Sequence, residues 1–134
     1  MTNEEKVEYW INLSDYDLET AEAMHITKRY LYVGFMCHQV IEKIFKALYS
    51  KLKEETPPYT HKLTYLAQHG DFYDLLSEEQ RNFTMEMEPL NIKTRYIDYK
   101  NEVAKKLSHE KCTEIIEKTK NLQLWIKEKL LSTN

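Results

Sequence analysis

The segment from Tyr30 to Lys53 constrains the chain more than any other. Val33, Cys37, Val40, Ile41, Ile44, Phe45, Leu48 and Leu52 recur in it at spacings of three and four. That spacing lays them along one side of a helix. Gln39, Lys43, Lys46 and Ser50 are expected mostly on the other side. At ~1.5 Å per residue such a helix runs roughly 35 Å, the width of a small domain. It is therefore expected to be the central rod of an all-helical bundle.

The rest of the chain agrees. It contains only 2 glycines and 3 prolines in 134 residues, too few turn formers for a fold built from many short strands. Thr2-Asn3-Glu4-Glu5 has the form of a capping box, opening a first helix over about residues 3–25. Val7, Trp10, Ile11, Ser14, Leu18 and Ala21 mark its buried stripe, and Tyr9, Leu13 and Tyr16 widen it enough to touch two neighbours. The short link over 25–29 forces the next helix antiparallel. Pro57-Pro58 breaks the second helix, Thr60 is expected to cap a short third one over 61–69, and Gly70 to stop it. Ser77-Glu78-Glu79-Gln80 is a second capping box, before a helix reaching about Glu88. A connector follows over 90–99, with helix resuming near 102–107. Ser108 is expected to cap the last long helix, whose core face is Cys112, Ile115, Ile116, Thr119, Leu122, Ile126 and Leu130. The expected fold is all-α: an up-and-down bundle of three long antiparallel helices plus two short ones, one domain over residues 1–134.

Charge is unevenly spread around a net of −3. Residues 1–25 are acidic, whereas 28–53 and 92–111 carry most of the bases. The simplest reading is attraction between antiparallel helices; the alternative is a local basic surface for an anionic partner. No apolar run approaches the ~18 residues a membrane helix needs, and the acidic start lacks an apolar signal core, so a cytoplasmic protein that does not engage membranes is expected. Cys37 and Cys112 are then expected to be buried thiols.

Three constellations carry candidate chemistry. His38 and Glu42 stand one turn apart on the central helix, with Lys43 and Lys46 nearby. They read either as an acid–base pair or, as we favour, as a structural histidine held by a carboxylate. Arg95, Tyr96 and Tyr99 fall in the connector; an arginine can clamp a phosphate and a tyrosine can stack on a base, or Arg95 can simply tie the connector to an acidic helix. Cys37, His38, His109 and Cys112 are metal-ligand types, but adjacent Cys37 and His38 point about 100° apart, which suits a tetrahedral site poorly. No metal and no cofactor are expected: there is no Gly-rich phosphate loop, nucleophile elbow or paired-cysteine pattern.

The order of segments resembles the HEPN superfamily, closest to its prokaryotic branch encoded beside minimal nucleotidyltransferases. The marks are Tyr9-Trp10 through Asp15-Tyr16-Asp17-Leu18-Glu19-Thr20-Ala21, Arg29-Tyr30 with the run from Cys37 to Leu48, Thr60-His61-Lys62-Leu63, and Arg95-Tyr96-Ile97-Asp98. Many such proteins are metal-independent ribonucleases marked by an arginine, four to six residues, then a histidine. Here Arg29 reaches His38 across eight residues and Arg95 reaches His109 across thirteen, so the motif is absent and no catalytic residue carries over. Ile97 also replaces the usual proline after Arg-Tyr. The resemblance implies the helical fold, a homodimer, a nucleotidyltransferase-type partner, and contact with nucleotide or RNA. Arg95, Tyr96, Tyr99, His38, Glu42 and Lys46 are the binding candidates. The alternatives are a divergent ribonuclease, using Arg29, His38 or Arg95, and a partner that neutralises a toxin.

Overall fold

The computed structural model describes residues 1–91 and 104–132. Among the described residues the main α-helices are α1 Asn3–Ile26, α2 Tyr30–Lys53, α3 Leu63–His69, α4 Glu78–Met87 and α5 His109–Ser132, and residues 104–106 are also helical. Single turns of 3₁₀-helix at Tyr73–Leu75 and Glu88–Leu90 flank α4. There is no strand among the described residues. The all-helical bundle of three long helices and short intervening ones is as expected.

Helix α2 is the axis. α1 and α5 pack along it lengthwise, and α3 and α4 close the remaining side with the turn at Glu88–Leu90. From Ile44 to Ser50 every α2 residue is buried. Lys46 and Ser50, expected on the outer side, are therefore inside. The wrapping is complete there because α3 covers the face that a bundle of three helices alone would leave open. Gly34 shows how closely the wrapping approaches: a Cβ on it would stand 3.0 Å from Leu107 Cδ1 and 3.3 Å from Leu90 Cδ1.

Small polar groups fasten the long helices. Ser14 of α1, fully buried, donates its hydroxyl to the Val40 carbonyl of α2 at 2.8 Å, and Gln123 of α5 donates to Ser14 Oγ at 3.0 Å. The buried Ser14 hydroxyl thus both donates and accepts, as burial requires. The acidic charge of α1 pairs mostly with α5 (Asp15–Lys127 at 2.7 Å, Glu22–Lys120 at 3.4 Å) and once with α2 (Asp17–Lys43 at 3.5 Å).

Caps explain the boundaries. Thr2 and Glu5 make the expected capping box, as do Ser77 and Gln80. The α1–α2 reversal contains no glycine. Lys28 takes the left-handed conformation, φ 62°, while the Lys28 and Arg29 amides return to the His25 and Met24 carbonyls. This is a Schellman closure with a lysine where glycine is usual. Thr60 does not cap α3; its hydroxyl accepts from the Lys62 amide, and the helix starts only at Leu63.

Substituting Ile44, fully buried on α2, by alanine is expected to cost about 2–5 kcal/mol in urea unfolding. Leu131→Ala, at a side chain 85% exposed, is expected to stay within about 0.5 kcal/mol. Equal effects at the two sites would contradict the central position of α2.

Candidate functional site

His38, Glu42 and Lys46 stand at i, i+4 and i+8, so α2 presents them as one file. All three are buried, His38 and Glu42 to within 1% of completely. Burial of a carboxylate is tolerable only with partners. Glu42 has two: Lys46 Nζ donates to Oε2 at 3.1 Å, and His61 Nδ1 lies 2.8 Å from Oε1. Burial pushes the Glu42 pKa up, but the His61 hydrogen bond and the ammonium groups of Lys46 and Lys43 outweigh it, so the carboxyl ionises more readily than usual. Lys46 also lies 5.1 Å from the ring centroid of Trp10 on α1, a cation–π contact.

His38 behaves differently from its neighbours. Its Nδ1 is 3.9 Å from Glu42 Oε1, too far for a hydrogen bond. Burial, opposed by the Glu42 carboxylate, lowers its pKa to about 4. The ring is neutral at pH 7, so it forms no ion pair with Glu42. The Gln39 amide nitrogen lies 3.5 Å from Nδ1. Nε2 itself has no aligned partner among the described residues; the His61 carbonyl favours the protonated ring without completing a bond.

A second polar chain runs beside the first. Lys43 Nζ donates to Gln39 Oε1 at 2.8 Å and reaches Asp17 at 3.5 Å, and Gln39 Nε2 donates to Asn91 Oδ1 at 3.4 Å. This chain couples α1 and α2 to the end of the Glu88–Leu90 turn. Burial raises the Asp17 pKa against the pull of Lys43.

The file reaches the surface through His61, whose side chain is 26% exposed. His61 lines a cleft of about 530 Å³ with Tyr59, Thr60, Lys62, Glu88, Pro89 and Asn91. Of the sequence-derived candidates, then, the structure joins His38, Glu42 and Lys46. Arg95, Tyr96 and Tyr99 lie outside the described residues. His61 and the cleft around it were not singled out as a binding site, although Thr60-His61-Lys62-Leu63 marked the place; nothing in helical periodicity connects residue 61 to residue 42.

The other ligand-type residues separate. Cys37 and Cys112 are free and buried, and burial pushes their thiols up to about 12 and about 11. Such thiols are poor nucleophiles and poor metal ligands. His109 is exposed; it stacks on His25 at 4.3 Å, with Tyr30 Oη 3.0 Å from its Nδ1. Among the described residues no three histidine, cysteine or acidic side chains are placed to share a metal ion.

This architecture, three long helices with short ones closing one side, is that of a small helical domain. The HEPN domain model matches residues 7–130, and the chain belongs to the HEPN family. Two solved structures share the fold. The crystal structure of TT1696 from Thermus thermophilus superposes with a TM-score of 0.77 at 17% identity, covering 92% of this chain and 98% of that one. ST0689, an archaeal HEPN homologue, gives 0.63 at 19% identity, covering 92% and 97%. No curated protein sequence matches significantly.

Glu42→Ala leaves Lys46 buried without its counter-charge and is expected to cost about 3–5 kcal/mol in urea unfolding. Pairing Glu42→Leu with Lys46→Met is expected to recover most of that loss. A loss under about 1 kcal/mol for Glu42→Ala would show the pair to be solvated. His38 predicts a pH dependence. Its pKa is lower in the folded chain than the ~6.5 of an unfolded one, so the unfolded state binds the extra proton. That stability is complete above about pH 6.5 and declines by about 1.4 kcal/mol per unit as pH falls toward about 4. Unfolding curves for the wild type and His38→Gln between about pH 7 and about pH 5 test this. An unchanged slope in the variant would refute it.

Proposed function

We propose that the whole 134-residue chain is one HEPN domain acting in the cytoplasm as a binding and assembly module. It forms a homodimer, associates with a nucleotidyltransferase-type protein, and contacts nucleotide or RNA around Arg95, Tyr96 and Tyr99. The observation that carries a binding role over a catalytic one is the sealing of His38 and Glu42. A general acid or base must reach the proton it transfers. His38 is wholly buried, and Glu42 is held by Lys46 and His61, so both serve the interior. The lack of the family's arginine–histidine spacing points the same way. No helix among the described residues is long and apolar enough to cross a membrane.

One observation favours a second reading, a metal-independent ribonuclease. The buried Glu42 carboxylate orients the His61 imidazole, and the ring lines a cleft. A carboxylate that fixes the tautomer of a histidine is a recurring feature of general bases.

Light scattering is expected to give twice the 16.2 kDa chain mass. Arg95→Ala is expected to weaken nucleotide or RNA binding about tenfold or more, the loss of one charge-assisted phosphate contact. A monomer at high concentration would remove the dimer, and unchanged binding would remove Arg95 from the site. RNA cleaved in EDTA by the wild type but not by His61→Ala would replace this reading with the second.

A further inference from the structure

The cleft beside His61 has the chemistry of a site for a flat anionic ligand. Tyr59 is 91% exposed, an unusual position for a large aromatic ring, and it lines the cleft. Its ring and that of His61 stand 5.8 Å apart at 67°, forming a floor and a wall. A planar heterocycle lying on one ring meets the other edge-on. Lys62, exposed, lines the same cleft and supplies an ammonium group suited to a phosphate.

The cleft is stiff on both sides. Pro57, buried, and Pro58 fix φ just ahead of Tyr59. The Thr60 hydroxyl holds the Lys62 amide, and Glu42 holds the His61 ring. On the opposite wall, Glu88 Oε1 accepts the Thr64 amide at 2.7 Å, fixing the turn to the start of α3. Asn91 is held through its Oδ1 by Gln39, which leaves the Asn91 amide nitrogen to donate to a ring acceptor.

We propose that this cleft binds a single unstacked nucleobase together with its phosphate: the base on Tyr59 against His61, the phosphate at Lys62. The assignment rests on the nucleotide- or RNA-binding reading above and places one base at a position that reading did not include. A base still paired and stacked in a duplex presents only its edges, so the site selects mononucleotides or single strands.

Calorimetric titration of the full chain with AMP, inorganic phosphate, a short single-stranded oligoadenylate and its duplex with oligouridylate tests this. Tyr59→Ala, at a side chain almost wholly in solvent, should leave the fold intact and weaken AMP or oligoadenylate binding by about 5- to 100-fold. Tyr59→Phe should retain binding. Equal affinity for AMP and the single strand, counted per site, identifies a free nucleotide as sufficient; a much tighter strand identifies RNA; both support the site. Phosphate binding as tightly as AMP, or a duplex binding as tightly as the single strand, would overturn it. Loss on Arg95→Ala with no effect of Tyr59→Ala would overturn this site alone and leave the binding reading standing. Absence of wild-type binding to all four probes would overturn both.

Discussion

The constraint on which the structure depends is the enclosure of α2. A helix buried on one side can leave its polar residues in water. A helix wrapped on all sides cannot, and a charged group it carries must find a partner in the interior. Glu42 and Lys46 meet that demand by pairing with each other across one turn and by recruiting His61 from the following loop. His38, whose Nε2 has no aligned partner among the described residues, carries no charge to be paired because burial keeps the ring neutral. The position of the 59–62 loop is thus tied to the charge state of the central helix.

The same enclosure organises the periphery. α1 can lie close to α2 because a buried serine rather than a large side chain stands at the contact, and its hydroxyl joins both long neighbours. The turn after α4 is fastened twice, by Glu88 to the start of α3 and by Asn91 to Gln39. Loops held this firmly on a rigid scaffold are well placed to carry recognition. The cleft between them is a consequence of how the core is closed, not a separate addition to it.

The likeness to other HEPN structures at 17% and 19% identity fits this view. What such chains need in common is an order of helices and a pattern of burial, and many sequences satisfy both. Function resides in the site rather than in the fold. In this chain the arginine–histidine spacing common in the family is missing, while its central helix carries an interior ion pair and its loop an exposed aromatic corner.

The spacing of apolar residues determined the three long helices, their antiparallel order and the core faces of α2 and α5, because helical periodicity and capping are local properties. The two capping boxes were legible for the same reason. Three features were not. Lys28 in the left-handed conformation has no sequence signature, since glycine is the usual occupant. The inward placement of Lys46 reversed the expectation that a lysine faces water, because α3 covers that side of α2 and residues distant in sequence supply the cover. The contact between His61 and Glu42 joins positions nineteen apart across a helix end. Sequence decides which face of each helix is apolar; only the packing of all the helices decides how much polar surface is drawn in with it, and so which charged groups meet.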